Sequence, residues 1–342
     1  MKKYNKDGVI KLEDVAALAG VAKSTVSRVL SRETTLNIRE DTRKKILESA
    51  QLLGYSPDPR ARALRTKRTR TLGIIVDEFD NPAYSTIIRG AQRAAIKRGY
   101  TLIILFTDST FHDAELYRRL INDFRVDGIL ISTVTDPELI INLNKSGKPI
   151  LLVNRQVDGI NHGILLNYEK GTEKAVNYLT SMGHKHIGYV SGPLNNYTGQ
   201  TRLKGFRAGL KNAGINFNPN MVTVCNYNWE ESGKAFTELY KSAPNTPTAI
   251  CAANVVVASG VLANARKLGL STPKDLSVIA LTDSPFAEMH MPTITALRFP
   301  FLELGIEATN YLIDRIEDEE KITSYTSLED VEVIERGSVG KV

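Results

Sequence analysis

The sequence predicts an α/β protein in two parts, a small all-helical N-terminal module and a larger body of parallel sheets covered by helices. Three observations predict it. Apolar residues in the first 55 positions recur at helical spacing. From Thr71 onward, short apolar runs alternate with amphipathic stretches. At 342 residues, 42% apolar and 24% charged, the chain exceeds what one hydrophobic core usually holds, with the composition of an ordinary globular protein.

Composition narrows the function classes. No stretch approaches the ~20 apolar residues that a membrane span needs, so no membrane partner is expected. The first eight residues run into charges and not into an apolar signal region, which predicts a cytoplasmic protein. Cys225 and Cys251 are the only cysteines and lack any ligand spacing, so neither a disulfide framework nor a metal site is predicted; both read as small buried residues. Charge is unevenly divided. Residues 1–70 hold 17 Lys and Arg against 8 Asp and Glu, a net of +9, whereas the remainder holds 27 against 30, a net of −3. A basic module on a mildly acidic body points to a polyanion partner for that module alone.

The helices of the module follow in order. Leu12, Val15, Ala16 and Ala19 form the apolar stripe of a short helix that stops at Gly20. After a tight turn at Val21 and Ala22, a second helix runs over about 23–31. It turns Val26, Val29 and Leu30 one way and Lys23, Ser24, Ser27 and Arg28 the other. A third, over about 40–53, is expected to bury Ile46, Leu47, Ala50 and Leu53 and to end at Gly54. Two short helices about a glycine turn, closed by a third, make a helix-turn-helix. The DNA major groove admits one helix, and its base edges match Lys, Ser and Arg. Arg28 can address a guanine with two hydrogen bonds, while Thr25, Ser27 and Ser31 suit phosphates, which set register without carrying sequence information.

The run Leu12-Glu-Asp-Val-Ala-Ala-Leu-Ala-Gly-Val-Ala-Lys-Ser-Thr-Val-Ser-Arg-Val-Leu30 closely resembles the DNA-binding domain of the lactose repressor (LacI/GalR) family. So does Thr42-Arg-Lys-Lys-Ile-Leu-Glu-Ser-Ala-Gln-Leu-Leu-Gly-Tyr-Ser-Pro57, and Pro59-Arg-Ala-Arg-Ala-Leu-Arg-Thr66 resembles the family's hinge segment. By position, the resemblance implies that Lys23, Ser24 and Arg28 read bases and that Thr25, Ser27, Ser31, Thr42, Tyr55 and Ala61 meet the DNA backbone. It implies that Leu64 wedges into the minor groove, where an apolar side chain trades unstacking for a kinked, better-wrapped duplex. Domains of 1–58 for DNA binding, 59–70 for the hinge and 71–342 for effector binding and dimerisation follow from the likeness. There are two departures. Ala22 stands where the family usually has a capping serine, and the loop 32–38 is about two residues longer than in the lactose repressor.

In the body, strands are predicted at 72–76, 102–106, 128–131, 150–153, 164–166, 187–191, 222–225, 249–252, 277–281 and 293–297. Helical stretches include 85–98, 114–124, 170–182, 200–213, 230–242, 256–268 and 301–316. Repeated β-α units mean parallel sheets, and this many strands usually divide into two. The body resembles the family's two-lobed periplasmic-binding-protein-like fold. The likeness implies one lobe of about 72–162 plus 294–323 and another of about 163–293 plus 324–342, with three crossings between them.

Ligands of such folds sit beyond the carboxyl ends of strands. Asn81 and Tyr84 follow the first strand, where the family places an effector-contacting loop. Asn196 and Thr198 follow the 187–191 strand, and Arg202 matches an arginine the family directs at its ligand. Trp229, the only tryptophan, matches an aromatic that stacks on flat or sugar-like ligands; Asn254 and Asp283 follow two further strands. The family commonly carries Asn-Asp where this chain has Asn254-Val255, and two aspartates where it has Thr282-Asp283. With two carboxylates gone and the arginine kept, the pocket is expected to suit an anionic effector better than a neutral polyol.

Rival readings fare worse. No Gly-x-Gly-x-x-Gly follows the first strand and no Gly-Lys-Ser/Thr phosphate loop exists, so neither cofactor nor catalytic residue is predicted. His184 and His186 lack a carboxylate or cysteine at catalytic spacing, and His112, His162 and His290 are solitary; all read as surface or capping residues. A secreted solute-binding protein has no use for residues 1–66, and an architectural DNA-binding protein has none for the body. The reading is a dimeric, sequence-specific DNA-binding regulator, a repressor in the family's usual manner, which binds a palindromic operator under control of a small polar effector such as a sugar or sugar phosphate.

Overall fold

The computed structural model describes residues 10–30, 36–56, 68–76, 82–107, 126–133, 137–145, 147–318 and 324–342. The chain forms two compact units, 1–69 and 70–342.

The first unit contains α1 (Leu12–Ala19), α2 (Lys23–Leu30) and α3 (Glu40–Leu53). Asp14 closes the first turn of α1 by accepting the Lys11 backbone N–H at 2.8 Å. Gly20 ends α1 at φ 69° and Gly54 ends α3 at φ 64°, left-handed positions that cost a side chain and suit glycine. Val15, Ala16, Ala19, Val26, Val29, Ile46 and Ala50 form the core. Leu47 is 49% exposed and does not join it, contrary to expectation. The core stripe of α3 is Ile46, Ala50 and Leu53, and Leu47 lies about 100° around the helix from Ile46.

The second unit holds two six-stranded sheets. One, in the order β11-β5-β4-β3-β1-β2, is wholly parallel. Its strands are β1 (Thr71–Val76), β2 (Thr101–Phe106), β3 (Gly128–Ile131), β4 (Ile150–Val153), β5 (Gly163–Leu166) and β11 (Tyr325–Leu328). The other, in the order β12-β10-β9-β8-β6-β7, is parallel except where β12 pairs with β10. It comprises β6 (Ile187–Ser191), β7 (Val222–Val224), β8 (Ala249–Ala252), β9 (Ser277–Ala280), β10 (Thr295–Arg298) and β12 (Glu332–Ile334). Helices α4 (Pro82–Lys97), α5 (Pro137–Lys145) and α10 (Phe301–Asp318) belong with the first sheet; α6 (Tyr168–Ser181), α7 (Tyr197–Asn212), α8 (Trp229–Ser242) and α9 (Val255–Lys267) belong with the second. No helix among the described residues is long and apolar enough to cross a membrane.

The inner strands β1, β3, β4, β6, β8 and β9 are buried almost throughout, because helices cover both faces of each sheet. Helices α4 and α10 meet backbone to backbone: a Cβ on Gly90 would lie 2.1 Å from the Leu302 carbonyl oxygen. The start of the unit is tied down firmly. The Arg70 N–H donates to Asp127 at 2.9 Å, and its guanidinium pairs with Glu317 at 2.8 Å and lies 4.9 Å from the Tyr100 ring centroid. Arg98 also binds Glu317, at 2.7 Å. These arginines overcome the desolvation of the Glu317 carboxyl and hold its pKa below the ordinary value.

The lobe boundaries need correction. The expected crossings at 162/163, 293/294 and 323/324 each assign one strand to the wrong lobe. β5 and β11 pair in the first sheet, and β10 pairs in the second. The crossings therefore follow Leu166, Arg298 and Leu328, because a strand must be completed before the chain can leave its sheet at the carboxyl end. The helical stretch expected at 114–124 and most of the hinge segment 59–70 lie outside the described residues.

Candidate nucleic-acid interface and ligand cleft

In the first unit, the Val26 and Val29 anchors of α2 leave Lys23, Ser24 and Arg28 exposed, with Thr25 and Ser27 half-buried beside them. The face is polar throughout. Lys23 pairs with Glu13 of α1, but the two side chains are 58% and 64% exposed, so the bond is weak and exchangeable. Thr42 and Tyr55 are half-buried at the two ends of α3, with the Tyr55 N–H on the Ala50 carbonyl at 2.8 Å. Ser31, Ala61 and Leu64 lie outside the described residues.

In the second unit, the carboxyl ends of the strands gather a connected set of side chains around Tyr168. That residue opens α6, just past the first crossing. Its hydroxyl accepts from Asn154 Nδ2 at 2.9 Å. Asn154 follows β4, is 5% exposed and has φ 58°. Arg155 donates from Nη1 to the Asn154 carbonyl at 2.8 Å and from Nη2 to the Tyr84 hydroxyl at 2.7 Å. From α7, the Arg202 guanidinium lies 4.3 Å from the Tyr168 ring centroid, and Phe299 packs on Tyr168 at 4.8 Å. Burial works against the Arg202 charge, but the oxygens of Tyr168, Tyr227 and Tyr189 outweigh it, leaving the pKa above its ordinary value. Several buried polar atoms here have no hydrogen-bond partner, among them Arg202 Nε, Asn154 Oδ1 and Ser132 Oγ, the last beyond β3.

Other expected cleft residues are occupied by the fold. The Asn196 side chain caps α7, accepting from the Gly199 N–H at 2.8 Å and from the Thr198 hydroxyl at 3.0 Å. Asn254 caps α9 through the Val257 N–H at 2.8 Å. Asp283 binds Arg336 through both oxygens, at 2.9 and 3.1 Å, and Arg298 at 3.2 Å. Trp229 is the first residue of α8 and is 49% exposed. Tyr227, two residues earlier, lies directly over Gly192, where a Cβ would meet its ring at 2.1 Å. A cavity of about 390 Å³ lies at Asp283, Arg336, Arg298, Pro82, Arg89 and Phe299, apart from Arg202. Phe299 borders it and also touches Tyr168. Asn81 lies outside the described residues.

Asn154, Arg155, Tyr168 and Tyr227 were missed by sequence reasoning. All four follow predicted strands within two residues, so the strand-end rule could have found them. Two histidines are buried where surface or capping positions were expected. His184 bridges Thr248 Oγ1 at 3.0 Å and the Gly340 carbonyl at 3.1 Å, and His162 is 7% exposed. Burial lowers both pKa values, so each is a neutral core residue. His112 lies outside the described residues. No group of three or more His, Cys, Asp or Glu suited to a metal occurs among the described residues, and both cysteines are buried and free.

Residues 11–58 match the family described as bacterial regulatory proteins, lacI family, and residues 176–339 match the periplasmic binding protein-like domain. The chain is 31% identical over 310 residues to the HTH-type transcriptional repressor PurR of Photobacterium profundum, covering 90% of this chain and 92% of that protein. It is 32% identical over 313 residues to the PurR of Vibrio vulnificus, with the same coverage. Among solved structures, the complex of transcriptional regulator CelR with cellobiose superposes with a TM-score of 0.74 at 28% identity, covering 96% of this chain and all of that one. The lac repressor dimer bound to operator and an anti-inducer has a TM-score of 0.83 at 22% identity and covers 97% and 99%, a likeness of fold.

Proposed function

This chain belongs to the lacI family of bacterial regulatory proteins, and we propose that it is a cytoplasmic repressor that binds a palindromic operator as a homodimer and releases or grips it as a small polar effector binds the body. One observation carries the reading. A short helix anchored by Val26 and Val29 presents Lys23, Ser24 and Arg28 as an exposed hydrogen-bonding face, in a basic unit joined to a two-lobed ligand-binding fold.

A single such helix reads only a few base pairs, so useful specificity needs two copies across a two-fold site. The body supplies the symmetric contact. Lys23, Ser24 and Arg28 read bases, with Thr25, Ser27, Ser31, Thr42, Tyr55 and Ala61 on the backbone and Leu64 as the wedge. Effector contacts centre on Arg202, Tyr84, Thr198 and Trp229, with Asn81, Asn196, Asn254 and Asp283 at the rim. Opening or closing the lobes alters the spacing of the two hinge segments. The coupling is reciprocal: an effector that weakens operator binding is itself bound more weakly by the DNA complex.

The test is anisotropy of labelled palindromic genomic fragments against scrambled duplexes at physiological ionic strength, with and without sugars and sugar phosphates. Sequence preference that a metabolite changes supports the reading; equal affinity for both duplexes under every condition refutes it. Leu64→Ala should weaken the specific site about tenfold or more while changing random DNA little, the loss expected when a kinked site no longer repays its unstacking. Equal loss on both duplexes removes the wedge.

A further inference from the structure

Building on the reading of this cleft as the effector site, we propose that the effector is an organic anion whose charge pairs with Arg202, and that Tyr168 is the positioning residue through which its arrival reaches the crossings between the lobes.

The charge argument is direct. Arg202 is 6% exposed, no carboxylate among the described residues lies within ion-pair distance of it, and its Nε has no partner. A cation withdrawn from water without a counter-charge is costly, and a ligand anion supplies what the fold omits. Asp283, the one carboxylate among the expected cleft residues, is held by Arg336 and Arg298, and positions 255 and 282 are valine and threonine. The first lobe contributes Asn154 Oδ1 and Ser132 Oγ, both without partners, from residues 5% and 0% exposed at neighbouring strand ends. One ligand that is anionic at one end and bears hydroxyl groups can satisfy a cation in one lobe and these atoms in the other. A neutral polyol leaves the charge unanswered.

Tyr168 touches everything the ligand must move. Its hydroxyl takes Asn154 from the first lobe, and its ring carries Arg202 from the second. The ring also packs on Phe299, in the second crossing. Phe299 is wedged against α6 as well, since a Cβ on Gly171 would lie 2.4 Å from its ring. An anion that takes up the Arg202 guanidinium changes the load on a ring bonded to both lobes and two crossings.

The experiment uses the full-length protein. Calorimetry compares ribose with ribose 5-phosphate, and glucose with gluconate and glucose 6-phosphate; operator affinity is measured with each. At least one anion should bind tenfold or more tightly than its neutral partner, with carboxylate and phosphate distinguished by the glucose series. Arg202→Gln should cost that anion tenfold or more, and Arg202→Lys should recover part of the loss. Tyr168→Phe, which keeps the ring and loses the Asn154 bond, should shrink by threefold or more the change in operator affinity that saturating anion produces. Neutral sugars binding as well as their anions, no anion binding at millimolar concentration, or Arg202→Gln lowering Tm without changing anion affinity each overturn the proposal. An anion that binds through Arg202 but leaves operator affinity unmoved would refute instead the effector reading of the cleft. A neutral sugar that shifts operator affinity would spare that reading and sink the anion.

Discussion

The polar face of α2 and the cleft at the strand ends handle polar residues in opposite ways. On α2, Lys23, Ser24 and Arg28 stay exposed while two valines hold the helix, so polar display and packing are divided between opposite faces of eight residues. In the cleft, polar side chains are drawn into the fold. Asn196 and Asn254 cap helices, and Asp283 is locked to Arg336. A polar residue at a strand end is therefore as readily a fastener as a ligand contact, and position alone does not distinguish them.

That contrast can be broken by substitution. Arg28→Ala should have the largest functional effect. Losing a bidentate base contact costs about 1–3 kcal/mol per half-site, so two half-sites together lose about 30-fold or more in specific affinity. A drop in stability large enough to account for that loss would mean that Arg28 serves the fold and not the operator. Asp283→Asn should show first in stability. Its ion pair with Arg336 is buried, the two side chains 9% and 8% exposed, and breaking it should cost about 3 kcal/mol in urea unfolding. Asn254→Ala should cost about 1 kcal/mol for the lost cap. Trp229→Ala should change stability by less than about 0.5 kcal/mol, because the side chain is half exposed. As the only tryptophan, Trp229 reports on itself: saturating effector should shift its emission to the blue, and an unmoved spectrum would remove it from the site.

The same contrast explains what the sequence made legible. The three helices of the first unit and the inner strands carry strong apolar periodicity, and all formed where expected. Strands β11 and β12 were invisible because both are sheet edges with no fully buried residue, with polar residues such as Thr326, Ser327 and Glu332 and no apolar run. Lobe crossings were misplaced by one strand each time, because an apolar run reveals a strand and not the sheet it joins. Helix α5, nine residues long, was not singled out. In the cleft, Arg202 was singled out by its match to an arginine of the family, whereas its platform Tyr168 is recognisable only once the ring, the guanidinium and Phe299 are brought together by packing.

The fastening of Arg70 bears on how the protein could be rewired. The residue at which the chain enters the body has a left-handed φ of 55° and is bound through its backbone to Asp127 and through its side chain to Glu317. Both partners belong to the first lobe, so a rotation of that lobe carries residue 70 with it and no slack is taken up in between. A glycine there would relieve the backbone and cut the side-chain tie to Glu317 while the bond to Asp127 remained, so residue 70 should follow the lobe less closely.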